Sequence, residues 1–174
     1  MSGLWCGLRL AVPILSMLLW SCRRGSCENV TCLNGGNCRN GRCQCPVGFE
    51  GGRCETKWTD RWIGNYTVDD RCRVVGLIPQ YDGRVIASTV YPDVIYLEPF
   101  GNLTCAGGQP VKVEGRLTSG NRLEINRQAV CNRRYSISGE GTYDANRRTA
   151  AITYYIQDFE TGVVDTCTAN WMKY

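Results

Sequence analysis

The stretch Arg134-Tyr-Ser-Ile-Ser-Gly-Glu-Gly-Thr-Tyr143 followed by Asp144-Ala-Asn146 and Arg148-Thr-Ala-Ala-Ile-Thr-Tyr-Tyr-Ile-Gln157 alternates residue by residue. Tyr135, Ile137, Gly139, Gly141 and Tyr143 share one face of the first run. Ala150, Ile152, Tyr154 and Ile156 share one face of the second. A period of two marks half-buried antiparallel strands, and Asp-Ala-Asn between them is turn chemistry. The pair predicts a β-hairpin and sets the pattern for everything around it.

Outward from this hairpin the same period continues. In Pro110–Thr118, Val111, Val113, Gly115 and Leu117 fall together; in Val163–Met172, Val163, Cys167, Ala169 and Trp171 do. Turns are expected at Asp69-Asp70, Asp82-Gly83, Ala106-Gly107-Gly108, Ser119-Gly120-Asn121 and Glu160-Thr161-Gly162. No stretch keeps helical spacing over ten residues. Residues 61–174 therefore read as about eight short strands in a meander, closed into a barrel or flattened into a sandwich. Closure removes sheet edges that otherwise invite aggregation. Four cysteines lie here, Cys72, Cys105, Cys131 and Cys167, and they allow three pairings. In a closed meander the first and last strands are neighbours, so Cys72–Cys167 is expected, leaving Cys105–Cys131. The opening Trp62-Ile63-Gly64-Asn65-Tyr66 resembles the start of a lipocalin-type barrel.

Upstream, Cys27-x4-Cys32-x5-Cys38-x4-Cys43-x-Cys45-x8-Cys54 packs six cysteines into residues 27–54, with glycines between them. So short a segment buries too little apolar surface to fold unaided, and disulfides must replace a core. Spacing alone leaves fifteen pairings open. The runs Cys43-Gln-Cys45-Pro-Val-Gly48-Phe49-Glu-Gly51-Gly-Arg-Cys54 and Cys32-Leu-Asn-Gly-Gly-Asn-Cys38 resemble an EGF-like module. That resemblance implies the pairs Cys27–Cys38, Cys32–Cys43 and Cys45–Cys54. The calcium-binding members of the family carry acidic residues before the first cysteine. Arg23-Arg24-Gly25-Ser26 stands there instead, so calcium is not expected. Residues 55–60 read as a linker carrying Trp58.

Residues 1–21 hold one basic residue, Arg9, and an apolar run from Leu10 to Trp20. Such a run is shorter than the roughly 20 residues a spanning helix needs, and it reads as a secretory signal. It ends in Leu19-Trp20-Ser21-Cys22, which resembles the lipobox of bacterial lipoproteins. Of the 12 cysteines, Cys6 lies in the signal and ten are assigned to bridges, which leaves Cys22 unpaired. Lipidation of Cys22 accounts for it, with residues 22–26 as a tether. The layout resembles bacterial lipoproteins that carry an EGF-like module next to the anchor and a β-rich domain beyond it.

Chemistry is limited by what is missing. The chain has 174 residues, no histidine, and a net charge of +4 from 20 basic and 16 acidic residues. Hydrolytic triads and the usual zinc sites need histidine or free cysteine. A pair of carboxylates from Glu98, Glu114, Glu124, Glu140, Asp158 and Asp165 could serve a glycosidase, but surface charge is the simpler reading for most of them, Asp165 excepted because it shares the Val163–Cys167 face. The pairs Arg133-Arg134 and Arg147-Arg148 make no basic stripe, so nucleic acid is not a partner. No cofactor or metal is expected.

The expectation is a non-enzymatic lipoprotein of a bacterial envelope, anchored to the outer membrane, with the β domain as the binding or adhesion module. The partners expected are the membrane, through the lipid, and a protein, glycan or small apolar ligand. Tyr135, Tyr143 and Tyr154 are the residues expected to bind, because tyrosine joins an apolar body to a polar tip. One alternative is a lipocalin-like carrier of a small apolar ligand. Another is a secreted eukaryotic EGF-type signalling protein, in which the sequons at Asn29, Asn65 and Asn102 would carry glycans.

Overall fold

The computed structural model describes residues 27–174. The expected signal, the expected lipidation site Cys22 and the expected tether lie outside the described residues. The N-terminal module holds β1 (Asn37–Arg39), β2 (Arg42–Gln44), β3 (Phe49–Glu50) and β4 (Thr56–Lys57). β1 pairs with β2 and β3 with β4, both antiparallel. Disulfides join Cys27 to Cys38, Cys32 to Cys43 and Cys45 to Cys54. The stretch expected as a linker is built into structure: β4 completes a two-stranded ladder, and a 3-10 turn follows over Trp58–Arg61. The Trp58 amide donates to the Gly48 carbonyl at 2.9 Å, which ties that turn back to the module.

Eight strands follow: β5 (Gly64–Cys72), β6 (Leu77–Ala87), β7 (Val94–Glu98), β8 (Val113–Ser119), β9 (Arg122–Val130), β10 (Tyr135–Asp144), β11 (Thr149–Asp158) and β12 (Val164–Lys173). Each pairs antiparallel with the next, and β12 returns to β5, closing a barrel. The expectation of a barrel or sandwich resolves to a barrel. Alternation sets the inside: Tyr66, Val68, Asp70 and Cys72 point inward from β5, as do Asp165, Cys167, Ala169 and Trp171 from β12. Cys72 stands opposite Cys167 in the closing ladder, and the two are bonded. The other bridge, Cys105–Cys131, fastens the long β7–β8 connection to the end of β9.

Two expected turns are strand interior instead. Asp69-Asp70 lies within β5 and Asp82-Gly83 within β6. Both pairs look like turn dipeptides, but packing decides their places. Gly83 lies against the Trp171 ring, where a Cβ would stand 2.6 Å from Cζ3, so its small size serves the indole. The β5–β6 turn falls over Arg73–Gly76. It is held by Asp165, whose carboxylate accepts from the amides of Arg73 (2.9 Å), Val74 (3.0 Å), Val75 (2.9 Å) and Thr166 (2.7 Å). Burial alone would raise the Asp165 carboxyl, but these amides outweigh it and hold the group below the ordinary carboxylate range.

The barrel interior is occupied by aromatic rings along its length. Trp62 and Tyr143 meet at 5.2 Å near the end that receives the N-terminal module. Tyr66 packs on Trp171 at 5.7 Å, Trp171 on Phe100 at 6.4 Å, and Phe100 on Tyr154 at 4.7 Å. Such rings bury roughly 150–250 Å² each, and edge or tilted contacts suit their quadrupoles. The buried indole of Trp62 donates to the Gly120 carbonyl at 2.9 Å, satisfying its one polar atom.

Candidate binding face

The three tyrosines expected to bind are core residues. Tyr135, Tyr143 and Tyr154 are 5%, 6% and 1% exposed. They sit at different levels and do not line a common mouth. Tyr143 packs on Trp62 at one end, Tyr154 on Phe100 further along, and Tyr135 lies under the Arg134 guanidinium, whose carbon is 4.9 Å from the ring centroid.

Tyr154 does take part in a buried polar cluster. Its hydroxyl donates to Asp70 Oδ2 at 2.7 Å, and the Tyr81 hydroxyl donates to the same atom at 3.3 Å. Asp70 is 1% exposed, and its Oδ1 has no hydrogen-bond partner among the described residues. Burial raises the Asp70 carboxyl above its ordinary value, and the two tyrosine hydrogen bonds offset only part of that rise. The Cys72 and Cys167 sulfurs lie within 4.8 Å, but their bond to each other leaves neither as a metal ligand.

The outward residues of β9, β10 and β11 form a second and accessible assembly, and two local features shape it. The first is a bulge. The β9–β10 register runs Leu123↔Gly141, Ile125↔Gly139 and then Gln128↔Ile137, so β9 carries an extra residue at Asn126-Arg127. Both of these side chains are exposed. A bulge of this kind bends its strand and turns two consecutive side chains to one side. The second is close approach of β10 to β11. A Cβ on Gly139 would stand 2.5 Å from the Thr153 carbonyl oxygen and 2.9 Å from the Tyr154 Cα, so glycine alone fits there.

Together these give a shallow concavity of about 850 Å³ on the outside of the barrel. Across it Glu124 faces Glu140, Glu140 faces Thr153, Ser138 faces Tyr155, and Arg122 faces Thr142. Arg127 also lines it. Among the described residues, Arg122, Glu124, Arg127 and Glu140 form no ion pairs. Arg116, opposite Glu124, pairs instead with Asp93 at 2.6 Å. Like charges directly opposed on a sheet destabilise it, so the facing glutamates are a cost the fold carries.

No protein-family model matches the chain, and no curated protein does. Some solved structures match it over part of the chain. A redesigned β-barrel is 12% identical over 67% of this chain and 94% of that one, with a TM-score of 0.43. The EF1p2_mFAP2b protein bound to DFHBI is 12% identical over 67% of this chain and 96% of that one, with a TM-score of 0.47. A candidate outer membrane protein from Bacteroides fragilis is 15% identical over 67% of this chain and 52% of that one, with a TM-score of 0.41. This chain thus spans about half the length of the last. Likenesses at this level say nothing of ligand or role.

Proposed function

We propose that this is a non-enzymatic, exported binding protein, anchored to an envelope membrane through Cys22, which recognises its partner on the outside of the barrel. Five disulfides among the described residues suit an oxidising, exported setting. The pairs Cys27–Cys38, Cys32–Cys43 and Cys45–Cys54 support an EGF-like module acting as a stiff spacer. Every described cysteine is bridged, so none is a free nucleophile. The buried acids Asp70, Asp93 and Asp165 are engaged by tyrosine hydroxyls, the Arg116 guanidinium and backbone amides respectively.

The observation that carries the outward reading is the ring-filled interior. Trp62, Tyr66, Phe100, Tyr154 and Trp171 are each at most 1% exposed. A carrier must enclose its ligand, and here the axis is taken by side chains. Titration of the intact protein with an environment-sensitive apolar fluorophore tests this. The expected result is no saturable uptake in the micromolar range. A saturable one-to-one complex would restore the carrier. Intact mass of the native N-terminus tests the anchor: acyl chains on Cys22 support it, and an unmodified cysteine removes it.

A further inference from the structure

We propose that the concavity over β9, β10 and β11 binds a neutral carbohydrate chain. The inference rests on the outward-binding reading and gives it a ligand class.

Charge comes first. Arg122 and Arg127 balance Glu124 and Glu140, so the lining as a whole favours neither a polyanion nor a polycation. Among the described residues none of the four is satisfied by an ion pair, so their donors and acceptors can meet a ligand. Ser138, Thr142 and Thr153 add hydroxyls between them. A surface of alternating donors and acceptors, with carboxylates that each accept two hydrogen bonds, fits a ligand of many hydroxyls.

Shape comes second. The inner face of each strand is spent on the core, so ligand contact falls to outward positions. Tyr155 is 55% exposed at one wall, directly opposite Ser138. An aromatic face offers dispersion contact to the C–H face of a sugar ring, while its phenol offers a hydrogen bond. The bulge at Asn126-Arg127 supplies a second wall by aiming two adjacent polar side chains outward from β9.

A peptide suits the face less well. Strand addition needs an open sheet edge, and a closed barrel has none at these strands. Helix docking needs an apolar groove, and this one is lined chiefly by charged and hydroxyl-bearing side chains.

The test is affinity electrophoresis of the full chain, in detergent, through gels cast with mannan, xylan or a mixed-linkage β-glucan. Alginate serves as a charged comparison. The expected result is retardation by at least one neutral polymer. Tyr155→Ala and Asn126→Ala should each weaken it about tenfold, the size of one lost stacking or hydrogen-bond contact. Both positions are exposed, so unchanged thermal midpoints would show that the barrel persists. Retardation by none of the neutral polymers, retardation by alginate alone, or retardation that Tyr155→Ala leaves intact would overturn the proposal. Those failures would leave the outward-binding reading to the fluorophore titration, which does not involve sugar.

Discussion

Replacing Cys72 and Cys167 together by alanine is expected to lower the unfolding free energy by roughly 4.7 kcal/mol, the chain-entropy value for a loop of this length. The bridge spans a sequence separation of 95 and joins β5 to β12, the one contact between barrel neighbours that are not consecutive in the chain. The same substitution at Cys105 and Cys131, with a separation of 26, should cost roughly 3.5 kcal/mol. The difference follows the logarithm of loop length, since both bridges constrain the unfolded chain. Denaturant midpoints of the two double variants check the ranking. If loss of Cys105–Cys131 proves the more damaging, the closing bridge does not play the role assigned to it.

The second large effect is at Asp70. Asp70→Ala removes the acceptor shared by Tyr154 and Tyr81 and should destabilise the barrel by roughly 2–4 kcal/mol, since buried hydroxyls lose their partner. The isosteric Asp70→Asn separates charge from shape. Burial raises the folded pKa of Asp70 above an unfolded value near about 3.9. The folded state then holds the proton more tightly. The stability this gives is fully present below the unfolded pKa and is lost as pH rises through the folded one. Asp165 has the opposite sign. Its pKa is lowered, so its contribution is present above the unfolded value and is lost as pH falls through the folded one. The wild type should therefore lose stability relative to Asp70→Asn as pH rises from about 4 toward neutrality. Urea midpoints across this range measure it, and superimposable curves for the two proteins would refute it.

Much of the fold was legible because burial imposes a period. Tyr135 to Tyr143 and Ala150 to Ile156 alternate because one face of each strand meets the core. The closing bridge was legible too, because closure makes the first and last strands neighbours. What misled was local composition. Asp69-Asp70 and Asp82-Gly83 carry turn residues, yet Asp70 is there to accept from two tyrosines and Gly83 to admit Trp171. Tyr154 and Trp171 are both distant in sequence, so no short window reveals them. Residues 55–60 differ for another reason: β4 is only two residues long, too short for alternation to register, yet it pairs with the neighbouring β3.

The proposed binding face was half legible. Tyrosine suits a binding surface, but aromatic residues at inward positions fill the core, and of the described tyrosines the outward Tyr155 borders the concavity. The bulge did leave a trace. Leu123 and Ile125 keep one phase, and after Asn126-Arg127 the inward positions pass to Gln128 and Val130. A slip of one residue in a period of two marks an inserted residue.

Amide chemical-shift mapping of the labelled full chain, titrated with the neutral polysaccharide that retards it, tests most directly whether recognition happens outside the barrel. Shifts are expected at Asn126, Arg127, Glu140, Thr153 and Tyr155, with the interior unmoved. Shifts centred on Asp70, Phe100 and Tyr154, or no shifts at all, would contradict it.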